Sequence, residues 1–225
     1  MTQRTSVEVK PVSTGLAVQL VRMDEDFVRQ YPGGLARLEL AKGHPDIKAR
    51  TFALWDELAR ERELALPLTE RGPWANVQLG TYPNVVVLEK EIDTRNGLDM
   101  GSWARDILKK VSVASQPTNL DLYIVGVGEL GFTKNTRRDV IYAAAEKLGF
   151  YPVPAEVGPQ VALQFGDKFA IGEWAVVASE PILDSDRSPS VFYVRRSGDG
   201  FWLAASYGRA DFGWNPVDRF LFCRK

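Results

Sequence analysis

Val191-Phe-Tyr-Val-Arg195, Ser197-Gly-Asp-Gly200 and Phe201-Trp-Leu203 follow closely on one another in the last third of the chain, and their reading decides the fold. β-Branched and aromatic side chains suit a pleated, half-buried surface. A glycine-rich polar run between two such segments is a hairpin signal. Working outward, 174–178 and 219–223 read as further strands. Val161, Leu163 and Phe165 alternate with Ala162 and Gln164 at period two, which predicts one more. Short strands packed this densely predict a five-stranded antiparallel sheet or small, partly open barrel over 158–225.

Upstream, 81–157 reads as a small βαβα segment. The continuous apolar run 85–88 predicts a buried strand. Met100, Trp103, Ala104, Ile107, Leu108 and Val111 recur at helical spacing, with Asp99 as a candidate cap. Residues 120–127 read as a strand. A helix is expected over 137–148, capped by Thr136, with Asp139 in its first turn and Gly149 just past its end.

Residues 1–80 read as a variable N-terminal α/β region. Val7, Val9 and 16–21 have strand character, Tyr31-Pro-Gly-Gly34 is a turn signal, and 45–64 is expected to be a helix stopped by Pro67. The stretch 67–83 carries three prolines and two glycines, which suits a boundary. The predicted class is therefore α+β, in segments 1–80, 81–157 and 158–225.

The chain has 225 residues, with 28 Lys plus Arg against 29 Asp plus Glu, a formal net charge of −1. That balance disfavours general polyanion binding, which leaves a basic footprint. The doublets Lys109-Lys110, Arg137-Arg138 and Arg195-Arg196 read as solvated faces. Cys223 is the single cysteine, so an internal disulfide is excluded. No apolar run approaches the roughly 20 residues that span a bilayer, and the first residues lack a signal-peptide pattern. A cytoplasmic location and no membrane association are expected.

Several motifs invite chemistry. Gly126-Val-Gly-Glu-Leu-Gly131 has the G-x-G-x-x-G form that lets a backbone approach a pyrophosphate. Phe132-Thr-Lys-Asn-Thr136 separates it from the next helix, so a turn explains it better. The polar cluster 133–137 could hold an anion at a helix start, though capping accounts for it. Asp184-Ser-Asp186 could hold a hard cation, but it lacks the rest of a calcium loop. Glu173, Glu180, Asp211 and Asp218 could include an acid–base pair for glycoside cleavage, which requires a defined separation. His44 is the only histidine and no nucleophile motif appears. Cys223 reads as a buried structural thiol. No cofactor and no metal are expected.

The aromatic density of the tail stands out. The loop 206–215 places Tyr207, Phe212 and Trp214 beside Arg209, Asp211 and Asn215. This mixture suits stacking on a small polar ligand or anchoring a protein. It also suits closing a small core.

Pro154-Ala-Glu-Val-Gly-Pro-Gln160, Gly172-Glu-Trp174, Glu180-Pro-Ile182, Asp184-Ser-Asp186, Val191-Phe192, Trp202-Leu203 and Asp218-Arg-Phe220 together resemble a family of uncharacterised bacterial hypothetical proteins. Gly101-Ser-Trp-Ala-Arg-Asp-Ile-Leu108 and Glu129-Leu-Gly-Phe132 resemble it too. The resemblance spans 82–225 and implies a C-terminal module behind differing N-terminal stretches. It implies no activity, cofactor or catalytic residue. The expected function is a non-catalytic binding or interaction module using the loop 206–215. A carboxylate-dependent hydrolase acting on a glycan-type substrate is the alternative, and nucleic-acid binding is a weaker one.

Overall fold

The computed structural model describes Asp46, 66–198 and 200–224. The helix expected over 45–64, the strand character of Val7, Val9 and 16–21, the turn at 31–34 and His44 lie outside the described residues. Strands are β1 (Ala75–Leu79), β2 (Leu98–Met100), β3 (Thr118–Gly126), β4 (Thr136–Arg137), β5 (Phe150–Tyr151), β6 (Trp174–Val177), β7 (Ile182–Leu183), β8 (Pro189–Ser197), β9 (Gly200–Tyr207), β10 (Gly213–Trp214) and β11 (Arg219–Arg224). Helices are α1 (Val85–Thr94), α2 (Ser102–Leu108), α3 (Arg138–Lys147) and α4 (Val157–Phe165).

The hairpin forms as expected. β8 and β9 pair antiparallel from Ser190↔Tyr207 down to Ser197↔Gly200. Among the described residues this hairpin belongs to a nine-stranded curled sheet in the order β1-β3-β11-β6-β8-β9-β2, with β5 added on β11 and β7 on β8. The sheet is mixed: β11 runs parallel to β6, and β2 parallel to β9. The class is α+β. β4 and β10 form a separate two-stranded pair.

Because side chains alternate across a strand, the sheet has two apolar faces and each is covered. Ala175, Val177, Phe192, Val194, Leu203 and Leu221 face one way. Leu88 and Ile92 of α1, Ile107 and Leu108 of α2, and Val157 and Val161 of α4 pack with them. Val176, Val191, Phe220 and Phe222 face the other way, against Ile141 and Ala145 of α3 and the Trp214 ring. Helix α4 comes unusually close to the sheet at Gly158, where an added Cβ would stand 2.7 Å from Cβ of Phe192. The stop of α3 follows its sequence: Gly149 adopts φ +82° and its N–H reaches the carbonyl of Glu146 at 2.9 Å, the left-handed ending that glycine favours.

Three local expectations are corrected. Residues 85–88 are the first turn of α1 rather than a strand. The Asn84 carboxamide oxygen caps it by accepting from the N–H groups of Val86 and Val87, and burial then falls on Leu88 and Ile92, four residues apart. Residues 161–165 are the end of α4. Every residue from Val157 to Ala162 is buried, Gln160 included, so the apolar residues of this helix mark no single face that a helical period would reveal. Finally, Met100 belongs to β2, and α2 begins at Ser102 with Gly101 as its N-cap. The Gly101 N–H donates to the Leu203 carbonyl across the β2–β9 pairing, which holds Leu98–Met100 extended and rules Asp99 out as a cap.

Among the described residues β1 ends the sheet, and an open strand edge recruits other strands. Here a side chain from α4 covers it. The Gln164 carboxamide accepts from the Gln78 N–H at 3.0 Å and donates to the Gln78 carbonyl at 2.8 Å, as a neighbouring peptide would. The Lys168 ammonium also donates to the Trp74 carbonyl. Gln164→Ala is expected to lose about 1 kcal/mol of stability and to make sedimentation concentration-dependent. A variant that stays monodisperse at high concentration would show that Gln164 does not guard the edge.

Candidate functional site

The loop 206–215 does two jobs at its two ends. Its carbonyls at Phe212 and Ala210 accept from the N–H groups of Arg138 and Asp139, at 2.9 and 3.1 Å. Helix α3 is therefore capped by this loop through main chain. The expected cap, Thr136, instead donates its hydroxyl to the Lys134 carbonyl. The same bonds occupy the first amides of α3 that an anion would have used.

The loop's rings form a chain from surface to core. Trp103, 55% exposed, lies 6.0 Å from Tyr207, which is 45% exposed. Tyr207 to Phe212 is 5.4 Å, Phe212 to Trp214 is 5.1 Å, and Trp214 to Phe220 is 5.2 Å. Trp214 is only 3% exposed, so it belongs to the core. Arg209 and Asp211 pair at 2.8 Å on the exposed surface, and the guanidinium holds the Asp211 carboxyl below its usual range. Asn215 is exposed; its backbone N–H donates to the Asp218 carboxylate at 2.7 Å. Asp218 is buried, and that burial pushes its carboxyl up.

Trp214 also walls a cavity of about 370 Å³, lined with Gly172, Trp174, Tyr193, Arg195, Arg196, Ser197 and Ser206. The pairing register explains the convergence. Trp174 stands opposite Arg195 between β6 and β8, and Arg195 stands opposite Trp202 between β8 and β9. Tyr193 is two residues before Arg195 and so shares its face. The Trp174 ring lies 5.8 Å from Tyr193, nearly perpendicular, and 6.4 Å from Trp214. The Arg195 guanidinium sits 5.3 Å over the Trp202 ring. Arg196 points to the opposite face, where its guanidinium donates to the carbonyls of Asp167 and Phe169. Arg195 thus supplies the cavity's charge.

Among the described residues no acidic one lines this cavity. Glu173 pairs with Arg219 at 3.3 Å and accepts from the Ala170 N–H. Glu180 is exposed, Asp211 is held by Arg209, and Asp218 is held by the Asn215 amide. Of the loop residues singled out in the sequence, Trp214 reaches the cavity. Tyr207, Arg209, Asp211, Phe212 and Asn215 are not among its lining residues. Trp174 and Tyr193 were not singled out as site residues, and the sequence reads Arg195 with Arg196 as a solvated face, although the hairpin turn alone sets Arg195 opposite Trp202 on one face.

The other motifs resolve structurally. In Gly126–Gly131 the N–H groups of Gly126, Val127 and Gly128 donate to the Glu129 carboxylate and the carbonyls of Asp218 and Pro216. Those amides are not free to cradle a phosphate. The Asp184 carboxylate accepts from the N–H groups of Asp186 and Ser188, closing its own turn. Among the described residues no group of three or more potential metal ligands occurs, and no helix is long and apolar enough to cross a membrane. Cys223 is buried. Tyr142 donates to the Ser179 carbonyl, and burial pushes its phenol up to about 12 against the pull of Arg138, whose guanidinium lies over its ring.

A second buried polar cluster was missed in the sequence. Glu156, 1% exposed, accepts from the N–H groups of Gly80 and Ala114 and from the Gln160 carboxamide. Thr81 and Gln164 extend the network through Gln160. Its partners are backbone amides and amide side chains, which makes it a clamp on two loops.

Compared with protein-family models, with curated proteins and with solved structures, the chain finds no match.

Proposed function

We propose that this protein is a non-catalytic binding module that holds a small polar ligand in the cavity between the β6–β8–β9 face and the loop 206–215. The observation carrying this reading is the lining: three aromatic rings, two serines, a glycine and two arginines, of which Arg196 turns its guanidinium to the other sheet face, around about 370 Å³. Small-molecule sites are concave and largely aromatic or apolar, with a few polar groups that fix orientation, and they start near 300 Å³. The aromatic loop contributes to it through Trp214 rather than through its exposed tip. The carboxylate-dependent hydrolase is the lesser reading because no acid among the described residues lines the cavity, and nucleic-acid binding is weaker still on the chain's net charge.

The test is saturation-transfer NMR on the full chain with a mixture of indole, phenol, adenosine and methyl glucoside. At least one component is expected to give a transfer signal that disappears in Ser206→Trp, which fills the cavity. Signals that persist unchanged in that variant would place binding elsewhere.

A further inference from the structure

Resting on that reading of the cavity, we infer that its ligand is a ring-bearing anion: one planar ring, or two fused, carrying a carboxylate or phosphate that Arg195 receives while the ring packs against Trp174 and Trp214.

Charge carries the first half of the argument. Arg195 makes no ion pair among the described residues; its contact is with the face of Trp202. Among the described residues the cavity lining offers it no carboxylate. Several arginines elsewhere are ion-paired, Arg71 with Glu129, Arg105 with Glu89 and Asp93, Arg137 with Asp139, Arg209 with Asp211 and Arg219 with Glu173, whereas Arg195, like Arg196 beside it, has no carboxylate partner among the described residues. A guanidinium stacked on an indole is held in place while its planar fork of donors stays available, and that fork matches a carboxylate or phosphate.

The wall carries the second half. Trp174, Tyr193 and Trp214 present large rigid surfaces to one space, which favours a flat ring over a compact inorganic anion. Trp214 buries its indole N–H with no acceptor. That nitrogen has almost no accessible surface, so the ring of Trp214 and not its N–H is what the cavity presents to a ligand. The Ser197 and Ser206 hydroxyls add further polar contacts at the lining. The volume limits the ring to about the size of an indole with a short acidic arm.

The experiment titrates the full-length chain with three pairs of probes, following the Trp214 indole N–H resonance, assigned by its loss in Trp214→Phe. Indole-3-acetate and phenyl phosphate carry ring and charge, indole and phenol carry the ring alone, and acetate and inorganic phosphate carry the charge alone. At least one ring anion should bind about tenfold more tightly than its neutral ring, as a charge-assisted pair requires. The better of indole-3-acetate and phenyl phosphate identifies the acid. In Arg195→Gln, an exposed position, that preference should vanish while indole and phenol bind as before. Arg195→Lys should keep part of it. If indole binds as tightly as indole-3-acetate, phenol as tightly as phenyl phosphate, and Arg195→Gln changes nothing, the ligand is neutral: the inference falls and the binding module stands. If acetate or inorganic phosphate matches the ring anions, the ring is not recognised and the inference falls. If no probe moves the resonance, both the inference and the cavity reading fall.

Discussion

Glu156→Ala is expected to lower the unfolding free energy by about 3–5 kcal/mol, because it strips a carboxylate from several donors at once. The Gly80 and Ala114 amides donate to it at 2.8 and 2.7 Å, and the Gln160 carboxamide at 3.0 Å. Hydrogen bonds to a charged group contribute roughly 1.5–3 kcal/mol each, and an abandoned buried donor costs about 1–3 kcal/mol. The two amides are only partly buried, so water recovers some of that loss and the full sum is not reached. Glu156→Gln keeps the shape but turns one acceptor into a donor facing an N–H, so it should cost about half as much. Urea unfolding at neutral pH measures both. A loss below about 1 kcal/mol for the alanine variant would show that the clamp contributes little.

The second large effect is at Trp214. Trp214→Ala is expected to cost about 3–5 kcal/mol, the range for removing a buried aromatic ring. The ring packs against Phe212 and Phe220 and anchors a loop whose carbonyls cap α3. Trp214→Phe should stay within about 1.5 kcal/mol of the parent, since a smaller ring fills much of the space and the indole N–H has no acceptor to lose. Thermal or urea unfolding of the pair decides the matter. Comparable losses for alanine and phenylalanine would mean that the N–H, not the ring, holds the loop. A near-neutral alanine variant would mean that the loop is not part of the core.

These two positions also mark what could be read in advance. The Pro154–Gln160 run stood out as a resemblance, but the partners of Glu156 lie 76 and 42 positions away in the chain, and no local pattern reveals them. Trp214 was singled out as a binding residue with core closure as the plainer reading. In the structure it is buried against Phe220 on one side and walls a cavity on the other, and its part in binding is the proposal above.

What the residues decided by themselves is local. The β8–β9 hairpin, the strand 118–126, the body of α3 and its glycine stop follow from period two, turn chemistry and left-handed φ, each acting within a few neighbours. Tertiary structure decided the rest. It made 85–88 and 161–165 helical, because both belong to helices that cover one sheet face: Val86 is left 71% exposed beside buried Leu88, and neither short run marks a helical period by itself. It also made the cavity. Trp174, Tyr193 and Arg195 meet only when β6 pairs with β8, and Trp214 joins them only when its loop docks on α3. The hairpin the chain announced most clearly holds Arg195 and Trp202 face to face. What places Arg195 at the edge of a cavity is packing by residues distant in sequence, whose contacts form only once the sheet is assembled.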